Sequence, residues 1–226
     1  MAITEDCDKG DGSEPAPRDQ RARVDRSATY SLGYDGCSCA VLADPTMPNQ
    51  VRIDEMHQRH RALTPSVAGS YREAASVCLS RHHISPVEIA LFDNSTESRA
   101  ELAWVAPGQR VLDAWANSTD ATEAGAYGCV IAGIELLRGL YAVRRAETGT
   151  GADYYVGPMG SGQGDLEDCF RLEVSGVGAG DHGDISKRLL EKVRQAREGE
   201  SSLPAVAGVI GFSAKLLMVR DVVEGQ

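Results

Sequence analysis

Three features of the sequence predict an α/β fold. Residues 149–176 alternate like two short strands joined by a glycine-rich turn. Segments starting near Asp120 and Asp184 repeat apolar residues at helical spacing, and an apolar run, AVAGVIG, follows Pro204. A chain of 226 residues is long enough to bury a sizeable core, as one decorated α/β domain or two small ones. Hydrophobic content of 42% and charged content of 25% are those of an ordinary globular protein. The net charge of -10 argues against non-specific coating of nucleic acid or anionic membrane but leaves room for a local basic groove. No apolar run approaches the roughly 20 residues of a membrane span. The N-terminus MAITEDCDKG lacks the regions of a secretory signal, so no membrane association and a cytoplasmic location are expected.

Residues 1–28 are rich in Asp, Gly, Ser, Pro and Arg without apolar periodicity, and are expected to form a disordered polar tail. Residues 29–117 are expected to be an α+β extension. It opens with a glycine-interrupted strand or loop, Tyr30–Ala43, and a polar helical turn over Val51–Ala62. A helix from near Ser66 follows, with Val67, Tyr71, Ala74, Ala75, Cys78 and Leu79 on its buried face. The runs PVEIALFD and RAELAWVA, separated by residues 94–98, predict a β-hairpin.

The six cysteines lack paired zinc spacing and read as free thiols, Cys37 and Cys39 being the one close pair. His57 and His60 would share a helix face and His82 adjoins His83, yet no carboxylate or Cys stands at a spacing that completes a metal set. Surface or capping roles are expected for them.

The core is expected over residues 118–226. Asp120 and Glu123 fit a capping box, opening a helix that runs to about Arg145, with Glu123, Tyr127, Val130, Ile134, Leu137 and Tyr141 in one stripe. Glu123 either closes that box or looks into a site. Glycines at 125, 128, 133 and 139 each cost about 1 kcal/mol of helix propensity, which predicts close packing against a sheet. In the hairpin, alternation puts Asp153 on one face with Tyr155, and Glu173 with Arg171 and Ser175 opposite Phe170, Leu172 and Val174. Two carboxylates brought together there need a cation or a shared proton, which marks Asp153 and Glu173 as a candidate site. Asp184 is expected to cap a helix over residues 185–197, with Ile185, Leu189, Val193 and Ala196 buried. Lys192 falls among them and either reaches the rim or the carboxylate pair. Residues 157–165, glycine-rich without a phosphate-loop Lys-Ser/Thr, read as a turn, and Asp165, Glu167 and Asp168 as a solvated acidic loop.

The order helix, strand with Asp153, turn, strand with Glu173, helix, strand resembles the core of the PD-(D/E)xK nuclease-like superfamily from about Asp120 to Val223. Glu123, Asp153 in GADYYV and Glu173 in RLEVSG carry the resemblance. It implies a restriction-endonuclease-like core, a mixed central β-sheet flanked by helices, preceded by an N-terminal helix and β-hairpin extension. It also implies Mg²⁺ or Mn²⁺ held by Asp153, Glu173 and the carbonyl of Val174, with Glu123 contributing. The implied activity is phosphodiester hydrolysis, as a nuclease or a nuclease-fold component of a bacterial defence system, acting on DNA or RNA. The chain departs from the family pattern at Ser175, where a lysine belongs. Either Lys192 of the following helix, or more weakly Arg171, supplies the cation, or the site is inactive and the fold binds a partner protein.

Overall fold

A computed structural model describes residues 49–223; the expected tail, the segment Tyr30–Ala43 and Cys7, Cys37 and Cys39 lie outside the described residues. The described elements are α1 (Met56–Arg59), α2 (Pro65–Ser80), β1 (Val87–Asp93), β2 (Thr96–Leu102), α3 (Gln109–Ala114) and α4 (Ser118–Arg138). They continue as β3 (Tyr141–Arg145), β4 (Tyr154–Gly157), β5 (Phe170–Val177), α5 (His182–Arg197), β6 (Ala205–Gly211) and β7 (Leu216–Val222). The strands form one seven-stranded mixed sheet in the order β2-β1-β7-β6-β5-β4-β3. β5 runs parallel to β6 and β1 to β7, and the remaining neighbours are antiparallel. The N-terminal helix and hairpin are continuous with the core, since β1 pairs directly with β7 and extends the same sheet.

Strand alternation divides the core between two helical layers. Val206, Ile210, Leu217, Val219, Leu172, Tyr154 and Val156 face α2 and α4. Ala205, Ala207, Val209, Leu216 and Met218 face Ile185, Leu189, Val193 and Ala196 of α5. Because β6 is covered on both faces, all seven of its residues are buried, which explains its unbroken apolar run.

Helix boundaries depart from the sequence expectation in three places. Asn117, not Asp120, caps α4 by accepting from the N–H groups of Thr119 and Asp120, so Glu123 closes no capping box. The same helix stops at Arg138, with Gly139 at φ 63° as its left-handed C-cap, and Tyr141–Arg145 is strand β3. α5 begins at His182, capped by Asp181, while Asp184 is the returning member of that capping box.

The hairpin turn is also tighter than expected: Asn94 and Ser95 alone connect β1 to β2, Asn94 taking φ 53°. The glycines of α4 serve a different neighbour from the one predicted. A Cβ at Gly125 would lie 3.0 Å from Ala75 Cα, and one at Gly128 3.2 Å from the Tyr71 carbonyl oxygen, so these two admit α2. Only Gly133 faces the sheet, at Leu217.

His60 is a satisfied core residue. Its Nδ1 accepts from the Ala142 N–H at 3.1 Å, so its Nε2–H donates to Glu135 at 2.9 Å. Burial alone would raise the Glu135 carboxyl, but hydrogen bonds from His60 and Arg59 outweigh it and hold the group below the usual carboxylate range. His83 donates to the Phe212 carbonyl, whereas His82 is exposed.

Candidate active site

β4 and β5 pair antiparallel with Tyr154 opposite Leu172, and the pairing ends there. Beyond that point the Val174 N–H has no strand to bond to. Asp153, one residue before β4, supplies the acceptor: its Oδ2 accepts from Val174 N–H at 2.9 Å while its own N–H donates to the Leu172 carbonyl. This corrects the expected strict alternation, because Asp153 replaces a ladder partner in line with the sheet edge and does not share a face with Tyr155. In an extended strand a residue's N–H and C=O lie on the same side, so the carbonyl of Val174 faces the same gap.

Glu173 projects to the α5 face of β5, where its side chain is 4% exposed. Lys192, on the buried stripe of α5, donates from Nζ to Glu173 Oε1 at 2.7 Å and to Gln195 Oε1 at 3.0 Å. Of its two expected destinations, the ammonium takes the carboxylate. Burial raises the Glu173 carboxyl above its ordinary range, the charge of Asp153 adds to this, and the opposing pull of Lys192 and Arg145 is not enough to cancel it.

Asp153, Glu173, Val174, Ser175, Lys192 and Glu123 all line one cleft of about 890 Å³ between the start of α4, the β4–β5 edge and α5. Glu123 is exposed at its rim. Arg171 is elsewhere engaged: its buried guanidinium donates to the carbonyls of Leu203, Thr150 and Ala196, tying the loop before β4 and the end of α5 to β5. It is therefore no candidate cation for the site. Asp165, Glu167 and Asp168 are exposed.

The structure adds residues that sequence reasoning left out. The Tyr127 hydroxyl donates to Asp153 Oδ1 at 2.7 Å, and burial together with the Asp153 charge raises that phenol, keeping it protonated. Arg145 Nη2 donates to the Tyr127 hydroxyl at 3.1 Å and lies 3.5 Å from Asp153 Oδ1. Its guanidinium stands 4.6 and 4.7 Å from the ring centroids of Tyr127 and Tyr154, at cation–π distance. The missed signal is the Gly139 stop, which places Arg145 on a strand next to β4 and not at the end of a helix.

Among the described residues, no group of three or more His, Cys, Asp or Glu side chains is arranged to hold a metal ion. The cleft is lined by the carboxylates of Asp153 and Glu173 and by Val174, whose oxygens are hard donors of the kind that suit Mg²⁺ or Mn²⁺ and not a thiolate-seeking ion. Comparison with protein-family models, curated proteins and solved structures finds no match.

Proposed function

We propose that the cleft hydrolyses phosphodiester bonds of nucleic acid with the help of Mg²⁺ or Mn²⁺, and that the chain is a divergent PD-(D/E)xK nuclease. The observation that carries this reading is the 2.7 Å contact of Lys192 with Glu173, in the cleft that Asp153 also lines. The cation missing at Ser175 thus has a replacement from α5. Asp153, Glu173 and the Val174 carbonyl would hold the ion, which when bound supplies charge to polarise the phosphate and acidify a water.

The chain's own groups have distinct tasks. Tyr127 and the Val174 N–H fix the Asp153 carboxylate by donating to one oxygen each. Lys192 donates to Glu173 and Gln195 and keeps a third N–H, and its charge beside Glu173 holds an attacking water or offsets charge growing on the phosphate. Glu123 adds negative charge at the rim from the first turns of α4.

The test is cleavage of labelled single- and double-stranded DNA and RNA with Mg²⁺ or Mn²⁺. Cleavage by the native protein and its loss in Asp153→Ala and Glu173→Ala are expected. If the native protein cuts none of these substrates, the nuclease reading falls. A fold that binds a partner protein then leads, and its mark is a co-purifying protein lost on mutation of exposed faces and not of Asp153 or Glu173.

A further inference from the structure

Arg145 combines exposure with a side chain held in a fixed plane. It is an arginine of strand β3 whose side chain is 49% exposed, yet whose guanidinium is held on two tyrosine rings and hydrogen-bonded to the Tyr127 hydroxyl. Tyr71 closes the cluster: its hydroxyl meets that of Tyr154 at 2.8 Å and lies 3.5 Å from Arg145 Nη1. Among the described residues, Asp153 is the only carboxylate within ion-pair range, and at 3.5 Å it is a loose partner. Asp153 already accepts from Tyr127 and Val174 at shorter distances, so it does not depend on Arg145 for its orientation.

We infer that Arg145 is a phosphate-binding residue that grips the nucleic-acid backbone beside Asp153. This deepens the nuclease reading and rests on it. A guanidinium offers five N–H donors in a planar fork that matches two phosphate oxygens. Stacking on Tyr127 and Tyr154 fixes the plane of that fork before the ligand arrives, which reduces the ordering cost of binding. The side chain is half-exposed, so a flanking phosphate has access to it beside its loose contact with Asp153. Lys192 pairs with Glu173 and Arg145 lies beside Asp153, so each carboxylate of the candidate site has a cation next to it and a polyanion meets positive charge there despite the net charge of -10.

The experiment measures binding without cleavage: fluorescence anisotropy of short labelled single-stranded and duplex oligonucleotides in EDTA, over a series of KCl concentrations. Each phosphate contact contributes about 0.7 (single strand) to 0.9 (duplex) to the slope of log affinity against log salt. Arg145→Gln is expected to reduce that slope by one such increment and to weaken binding on every sequence alike. Arg145→Lys is expected to keep the slope but weaken affinity several-fold, because it retains the charge and loses the fork. A merely structural role would leave the slope unmoved. Equal slopes for the native protein and Arg145→Gln would overturn the inference while leaving the nuclease reading intact. Should Arg145→Gln fail to fold, native-like affinity in Arg145→Lys overturns it. If the native protein binds no oligonucleotide in a salt-dependent way, both the inference and the nuclease reading fall together.

Discussion

The Lys192 ammonium bridges α5 to the middle of β5 by donating to Glu173 Oε1 across 2.7 Å. The pair stands where one strand residue, Ser175, supplies no charge of its own, although Ser175 lines the same cleft. On the proposed nuclease reading Lys192 supplies the charge that Ser175 lacks, which yields the most direct test.

Lys192→Ala should lower Mg²⁺-dependent cleavage by about 10²- to 10³-fold, the range for loss of one positioned charge-stabilising donor. Adding Ser175→Lys to that variant should recover roughly tenfold or more. In the presence of Lys192 the same change crowds the site and gains nothing. Steady-state rates on a labelled substrate check all three, and full activity in Lys192→Ala would remove the lysine from the mechanism.

The Glu173 carboxyl should titrate above the ordinary range, and its response to neighbours follows from the causes of the shift. Asp153→Asn removes a like charge and moves it down; Lys192→Met removes a favourable charge and moves it up. A raised carboxylate pKa means the folded state binds the proton more tightly. Glu173 therefore costs stability progressively as pH rises from the ordinary carboxylate range through its folded value, and the cost is constant above that. Carboxyl-resolved NMR titration of the three proteins measures the shifts; identical titration in all three contradicts the assignment.

Glu135 shows the opposite sign. Held low by His60 and Arg59, it contributes stability that is present above the ordinary glutamate range and lost as pH falls through its depressed folded value. Glu135→Gln should cost about 1–3 kcal/mol near neutral pH, because His60 loses a charged partner while buried. The gap to the native protein should narrow in acid. Urea denaturation at several pH values reads both, and a pH-independent gap would discount the charge.

Gly125→Ala should destabilise by about 1–3 kcal/mol through overpacking, since the new methyl meets backbone atoms of Ala74 and Ala75 at 3.0–3.1 Å and backbone cannot rotate aside. Gly69, on α2 with nothing within 4 Å of the same added atom, is the control, where alanine should be neutral or stabilising. Equal effects at the two positions would show that α2 and α4 are not in close contact there.

Elements whose periodicity is imposed by burial are readable from the residues alone. The stripe Ile185, Leu189, Val193 and Ala196 is buried as its spacing requires, and Phe170, Leu172 and Val174 face the α4 side of the sheet as alternation requires. Glu173 and Lys192 came into view because each lies on a periodic element, whereas Asp153 stands just before β4 and departs from the strand alternation. Helix ends were less legible: Asn117 and Asp120, or Asp181 and Asp184, are chemically equivalent caps a turn apart, and only the chain's path into the helix selects between them.

How side chains cross between elements is set by the packing of distant segments. Arg171 and Glu173 occupy the same strand face, yet one meets the carbonyls of Thr150, Ala196 and Leu203 and the other meets Lys192. Asp153 takes the place of a missing strand partner, and Arg145 reaches it because β3 is laid beside β4. Such contacts join residues of different elements, whereas periodicity encodes only which face of an element is buried. The partner waiting on that face is set by sheet order and by the end of strand pairing, and neither is written in any local stretch of the chain.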